Sequence, residues 1–227
     1  MKRLVTIIIL FFLSTVNIST HVEHYNNLKL LKYDLFRNGK LIGYHNYNFE
    51  REKEFLNVKS LVNFKITKLG VDLYKYEAES VERYKNDTFF NFSSKTIQNK
   101  KEKYVNISLH DDKKNLIIDG SSYKGLASKD FIVGTWWNHE IIKAKAQISA
   151  ISGRIIKQNV NFVGKEEIIL DGKKYQTLHF KFSSSDMTLP DNKKLNTDIW
   201  YEENSFLWVK AAFEKRGYWE YRLKKAE

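Results

Sequence analysis

Leu56-Asn57-Val58-Lys59-Ser60-Leu61-Val62-Asn63-Phe64-Lys65-Ile66 changes side-chain character at almost every step. Leu56, Val58, Ser60, Val62, Phe64 and Ile66 fall on one face, and Asn57, Lys59, Leu61, Asn63 and Lys65 on the other. Successive side chains of a strand point to opposite sides of the sheet, so this alternation predicts a long strand with one buried face. The pattern returns in residues 72–84, where Tyr74, Tyr76, Ala78 and Ser80 oppose Lys75, Glu77 and Glu79. Residues 102–109, 154–163, 173–182 and 206–214 carry it as well.

Turn chemistry separates these runs. Asn38-Gly39 divides Tyr33–Phe36 from Leu41–Phe49, and Asp171-Gly172 divides Glu166–Leu170 from Tyr175–Phe182. Both dipeptides supply the positive φ angles of tight hairpins. Asp119-Gly120 follows Leu116–Ile118, and Lys215-Arg216-Gly217 turns Val209–Phe213 back onto Tyr218–Leu223. Hairpins in series predict a mainly β protein, an antiparallel meander of about twelve strands. Open twisted sheets seldom exceed about ten strands, so the meander is expected to curl into a half-barrel or barrel. One segment departs from the pattern. Residues 135–146 lack Gly and Pro and carry Trp136, Trp137, Ile141, Ile142, Ala144 and Ala146, a spacing that predicts one short helix across the mouth or inside the sheet. Pro190, the one proline, lies in the polar loop Ser183–Asn196.

The N-terminus reads as an export signal. Lys2 and Arg3 precede the apolar run Leu4–Leu13, and Ser14, Thr15, Asn17, Ser19 and Thr20 follow it. This order is that of a secretory signal peptide. The run is shorter than the roughly 20 residues of a membrane span. The expected organisation is therefore a signal at residues 1–20, with an uncleaved anchor as the alternative, and a single β domain at residues 21–227. The destination is the periplasm or the outside of the cell. No cysteine is present, so neither disulfides nor a cysteine-linked lipid anchor can form. The chain carries +11; removing residues 1–20 takes away Lys2 and Arg3 and no acid, which leaves +9. Such a charge suits anionic partners. For an exported protein these are lipids or other anionic envelope components rather than nucleic acid, with membrane contact peripheral at most. The Asn-x-Ser/Thr triplets at Asn86, Asn91 and Asn106 are chance matches in an Asn-rich chain.

The motifs of common chemistries are missing. There is no Gly-x-Ser-x-Gly elbow, no phosphate loop and no dinucleotide fingerprint. His21 and His24, with Glu23 between them, offer a weak metal-chelating terminus; the plain reading is a polar tail. His45, His139 and His179 stand singly, and a triad of His179, Ser183 and Asp186 has no local spacing to support it. No catalytic residue, metal ligand or cofactor is assigned. Glu82 stands apart, because it shares the alternating face of Tyr74 and Tyr76 and must find a partner such as an Arg or a Tyr hydroxyl if buried. Fifteen Phe, thirteen Tyr and five Trp supply either a bulky core or an aromatic cavity. On the cavity reading Tyr74, Tyr76, Glu82, Trp136, Trp137, Trp200 and Tyr201 form the binding site, with Glu82 fixing a polar head.

The stretch Tyr33-Asp34-Leu35-Phe36-Arg37-Asn38-Gly39-Lys40-Leu41-Ile42-Gly43-Tyr44-His45 resembles the start of a family of exported bacterial proteins of unassigned function. The likeness extends through Tyr74-x-Tyr76 with Glu82, Trp137-Asn138 and Asp198-x-Trp200-Tyr201. It implies a curved antiparallel β fold, broadly similar to lipoprotein-carrier and lipocalin-like architectures, and no particular activity. The functional expectation is a non-enzymatic binder of a hydrophobic or amphipathic ligand. The alternatives are a structural or interaction protein of the envelope and, third, a hydrolase.

Overall fold

The computed structural model describes residues 25, 27–112 and 114–227. The expected signal segment and the His21/His24 pair lie outside these residues. The chain runs β1 (Leu30–Arg37), β2 (Lys40–Glu52), β3 (Phe55–Lys68), β4 (Val71–Lys85), β5 (Thr88–Gln98), β6 (Lys101–Leu109), β7 (Asn115–Gly120) and β8 (Lys124–Ser128). It continues with β9 (Ile132–Val133), β10 (Ala146–Ile148), β11 (Ile155–Leu170), β12 (Lys173–Ser184), β13 (Asn196–Glu202), β14 (Trp208–Glu214) and β15 (Tyr218–Ala226). Among the described residues these fifteen strands form one sheet in the order β8-β7-β6-β5-β4-β3-β2-β1-β15-β14-β13-β12-β11-β10-β9. Among the described strands only β9 and β10 pair in parallel.

The first and last strands are joined, because β1 pairs with β15 through Leu35↔Tyr221 and Tyr33↔Leu223. The two edges, β8 and β9, are consecutive in sequence yet share no ladder, so the sheet curls without closing. Ala127 of β8 and Val133 of β9 instead belong to one buried cluster with Ile107, Ile118 and Ile148. The chain thus takes the curved, unclosed form of the expected architecture, with more strands than the sequence suggested because β9 and β10 are too short to show a period.

The turns obey their chemistry. Asn38-Gly39 takes φ 49° and 74°, and Asp171-Gly172 takes 48° and 78°. Along β3, Leu56, Val58, Val62 and Phe64 are buried. The main core gathers Leu31, Tyr33, Leu35, Tyr47, Val58, Ile199, Tyr201, Trp208 and Leu223. Each large apolar side chain removed from water contributes about 1.5–3 kcal/mol.

The expected helix at 135–146 is replaced by a single 3-10 turn, His139–Ile142, with Asn138 capping the Glu140 N–H. The competing bonds explain why. Tyr201 Oη donates to the Trp136 carbonyl at 3.0 Å, and Gln158 Nε2 donates to the carbonyls of Ile141 and Ala144 at 2.9 and 3.0 Å. The wall takes carbonyls that a helix would use, and a helix this short has little intrinsic stability to resist. The segment lies inside the curled sheet, with Trp137 and Ile141 wholly buried.

Candidate functional site

One strand face supplies two environments. In β4 the inward residues are Tyr74, Tyr76, Ala78, Ser80, Glu82 and Tyr84, and they run from an open end of the sheet to its packed interior.

At the packed end Glu82 is 2% exposed. Tyr84 Oη donates to its Oε1 at 2.6 Å, while Thr135 Oγ1 and Trp137 Nε1 each donate to Oε2 at 3.0 Å. Asn138 Nδ2 in turn donates to the Tyr84 hydroxyl at 3.0 Å. Burial raises the Glu82 pKa, and the three donors oppose that rise. The carboxyl is a structural latch: it ties residues 135–138 to β4.

At the open end a cavity of about 860 Å³ is lined by Phe64, Tyr74, Tyr76, Phe213, Trp219 and Tyr221, with Arg37, Lys215 and Arg216 at its rim. The aromatic walls are interlocked. Phe64 stacks on Tyr76 at 4.8 Å, Trp219 meets Phe64 edge-on at 5.3 Å, and Phe213 stacks on Trp219 at 5.9 Å. A smaller chamber of about 180 Å³ shares Tyr76, Ile151 and Tyr221 with it and adds His45, Ser60, Ser80, Thr96, Thr135 and Trp136. The chamber exists because small residues face inward side by side. Ser60 pairs with Ser80 and Ser80 with Ser94, while Val62, Ala78 and Thr96 form the next row. Mostly apolar concavities of roughly 300–1,000 Å³ with a few polar groups are the usual form of small-molecule sites.

His45 stands at the chamber wall with Nε2 2.8 Å from Ser60 Oγ. Burial lowers its pKa to about 3. Its Nδ1 is buried without a hydrogen-bond partner. A general base near neutral pH needs a higher pKa and a group that orients its second nitrogen, so the pair is built as a polar wall rather than as a nucleophile and its base.

The seven residues singled out from sequence divide between these places. Tyr74 and Tyr76 line the large cavity, and Trp136 lines the inner chamber, edge-on to Trp208 at 5.2 Å and to Tyr221 at 5.3 Å. Glu82 and Trp137 form the latch. Tyr201 is buried beneath the interior segment that it holds. Trp200 points to the opposite, convex face, stacked on His179 at 4.3 Å with Lys210 Nζ 4.8 Å from its ring. The expected grouping is corrected here: neighbours along a strand face opposite sides, so Trp200 and Tyr201 cannot share one wall. His179 is held by Glu166 at 2.5 Å and Asp198 at 2.9 Å, and Asp186 by Thr188, so the His179–Ser183–Asp186 triad is not assembled. Phe64, Phe213, Trp219, Tyr221 and the rim cations escaped the sequence reading. The signal available for Phe64 was its place on the alternating face of β3.

Fold and cavity together define an open, barrel-like antiparallel β protein with an internal hollow. Residues 33–224 match the family described as a domain of unknown function, DUF6134, and the chain belongs to that family. No curated protein matches it. Among solved structures it is similar to a beta-barrel-like protein of a domain of unknown function, DUF1849, from Brucella abortus. The two are 15% identical with a TM-score of 0.62, and the match covers 88% of this chain and 97% of the other. That likeness concerns the fold alone. A DUF1329 family protein from Desulfovibrio piger aligns at 8% identity over 92% of this chain and 90% of its own, with a TM-score of 0.20, and carries no argument.

Proposed function

We propose that this chain is an exported, periplasmic binding protein, non-enzymatic, that holds a hydrophobic or amphipathic ligand such as a lipid or acyl chain. The observation that carries the reading is the cavity of about 860 Å³ whose walls are aromatic and which no side chain of the protein fills. A mostly apolar concavity of this size with a few polar groups at its edge is the usual form of a small-molecule site. Export rests on the order of charge, apolar run and small residues in the first twenty positions. A hydrolase is disfavoured by the low pKa of His45 and by the occupied nitrogens of His179.

The test is native mass spectrometry of the chain purified from its own envelope, followed by organic extraction. A lipid-like mass that co-purifies, and is lost in Trp219→Ala and Tyr76→Ala, is the expected result. A clean apo mass with no uptake of added fatty acid or phospholipid overturns it. That outcome favours the envelope-interaction reading, which draws on Phe162, Val163 and Ile169, exposed along β11 at 56%, 56% and 59%.

A further inference from the structure

Some of the described cations of this protein are paired with acids, though most are not. Lys59, Lys85, Lys95, Lys124, Lys165, Lys174 and Lys210, among others, each meet a carboxylate. The cavity mouth gathers several of the unpaired ones in one place. Arg37, Lys215 and Arg216 line it, yet among the described residues none of the three makes a salt bridge. Lys103 and Arg154 lie close enough to act electrostatically on Lys215, and they too lack carboxylate partners among the described residues. Burial, together with the positive charges of Arg154, Arg216 and Lys103, pushes the Lys215 pKa below its usual value.

Two acids, Asp191 and Glu214, line the cavity against the three cations and offset them in part. Asp191 at the rim is engaged by Lys194 at 2.9 Å, which leaves Glu214 as the one unbridged carboxylate lining the cavity. Arg37 is the best placed of the five. Its Nη2 donates to the Arg216 carbonyl, its guanidinium carbon lies 5.8 Å from the centre of the Trp219 ring, and its Nε is buried with no hydrogen-bond partner. The turn Lys215-Arg216-Gly217, with φ 52° at Arg216 and 121° at Gly217, sets its cations at the end of the aromatic wall made by Phe213 and Trp219.

We infer that the mouth is an anion-recognition site, so that the ligand is an anionic amphiphile whose carboxylate or phosphate head is held by Arg37, Lys215 and Arg216 while its chain lies along the aromatic wall. The inference rests on the binding reading and names the ligand's class and its direction in the cavity, head outward. It also moves the polar head from Glu82, whose oxygens are taken by protein donors and whose charge has the wrong sign, to the opposite end of β4. Arg suits either head group, because its fork matches both carboxylate and phosphate oxygens.

The experiment titrates the full chain with dodecanoate, dodecyl phosphate and dodecanol, each below its micellar concentration, and with inorganic phosphate as the head group alone. Binding is read from quenching of tryptophan emission. Dodecanoate and dodecyl phosphate are expected to bind about tenfold or more tighter than dodecanol, the worth of one charge-assisted hydrogen bond. In the double variant Lys215→Gln/Arg216→Gln, and separately in Arg37→Gln, that ratio is expected to fall towards one. Because the ratio is taken within one variant, a general loss of folded protein does not mimic the effect. Equal affinity for dodecanol and dodecanoate overturns the inference and leaves the cavity reading standing. Inorganic phosphate binding as tightly as dodecyl phosphate also overturns it, since the site then takes a free anion. No response to any of the three chains overturns the cavity reading, and the inference falls with it.

Discussion

The two ends of β4 use the same face of the same strand for opposite purposes. Around Glu82 and Tyr84 each polar oxygen has its donor, every partner is buried, and the strand is welded to the interior segment. Around Tyr74 and Tyr76 the inward face opens onto a hollow whose lining cations, Arg37, Lys215 and Arg216, form no salt bridge among the described residues. The difference teaches where to look for function in a molecule with no catalytic motif. Saturated polar networks rigidify a fold; an open, partly apolar concavity is where the proposed ligand is to be sought.

Mutations at the packed end should cost stability far more than mutations at the open end. Trp137→Ala removes a wholly buried ring and one donor to Glu82, so urea denaturation should report a loss of about 3–5 kcal/mol. A loss below about 1 kcal/mol would erase the contrast between the ends. Glu82→Leu leaves Tyr84, Thr135 and Trp137 without their acceptor and is expected to cost about 2–4 kcal/mol, each unsatisfied buried group being expensive. Trp219→Ala at the open end removes a half-buried ring and is expected to cost less than either while abolishing retention of the co-purified ligand.

Two titrations sharpen the comparison. The Glu82 pKa is raised on folding, so the stability it contributes is fully present below about 4.5 and is lost as pH rises through the folded value. Glu82→Gln should flatten that part of the stability profile. His45 behaves in the opposite sense. Its pKa falls from 6.5 to about 3 on folding, so its contribution is present above 6.5 and is lost as pH falls through that window. The slope is at most about 1.4 kcal/mol per pH unit, less where chamber water reaches the ring, and His45→Gln should remove it. A His45→Gln chain with an unchanged acid limb would show that the ring is solvated. The smallest effect on ligand retention is expected on the convex face, where Trp200→Ala should leave it as it is, although losing this buried ring and its stack on His179 should cost about 3 kcal/mol of stability.

Much of this architecture was legible along the chain because a strand writes its orientation into every second residue. That period identified β3 and β4 and correctly turned Glu82 inward. Used more strictly, it would also have separated Trp200 from Tyr201. The short helix at 135–146 was misread because local spacing says nothing about Gln158 and Tyr201, which claim its carbonyls from other strands. The latch was half legible: a buried carboxylate beside tyrosines could be expected, but Thr135 and Trp137 reach it across 53 and 55 residues.

The sequence by itself determined the strands, the tight turns and the side each residue presents, because these follow from backbone geometry over two to four neighbours. Only the tertiary structure decided which inward positions are filled and which stay empty. That outcome depends on how β1, β3, β4, β14 and β15 converge, bringing Arg37, Phe64, Tyr76, Phe213, Lys215 and Trp219 from distant parts of the chain around one hollow. Volume left over after packing is a property of the whole sheet, and no local run of residues encodes it.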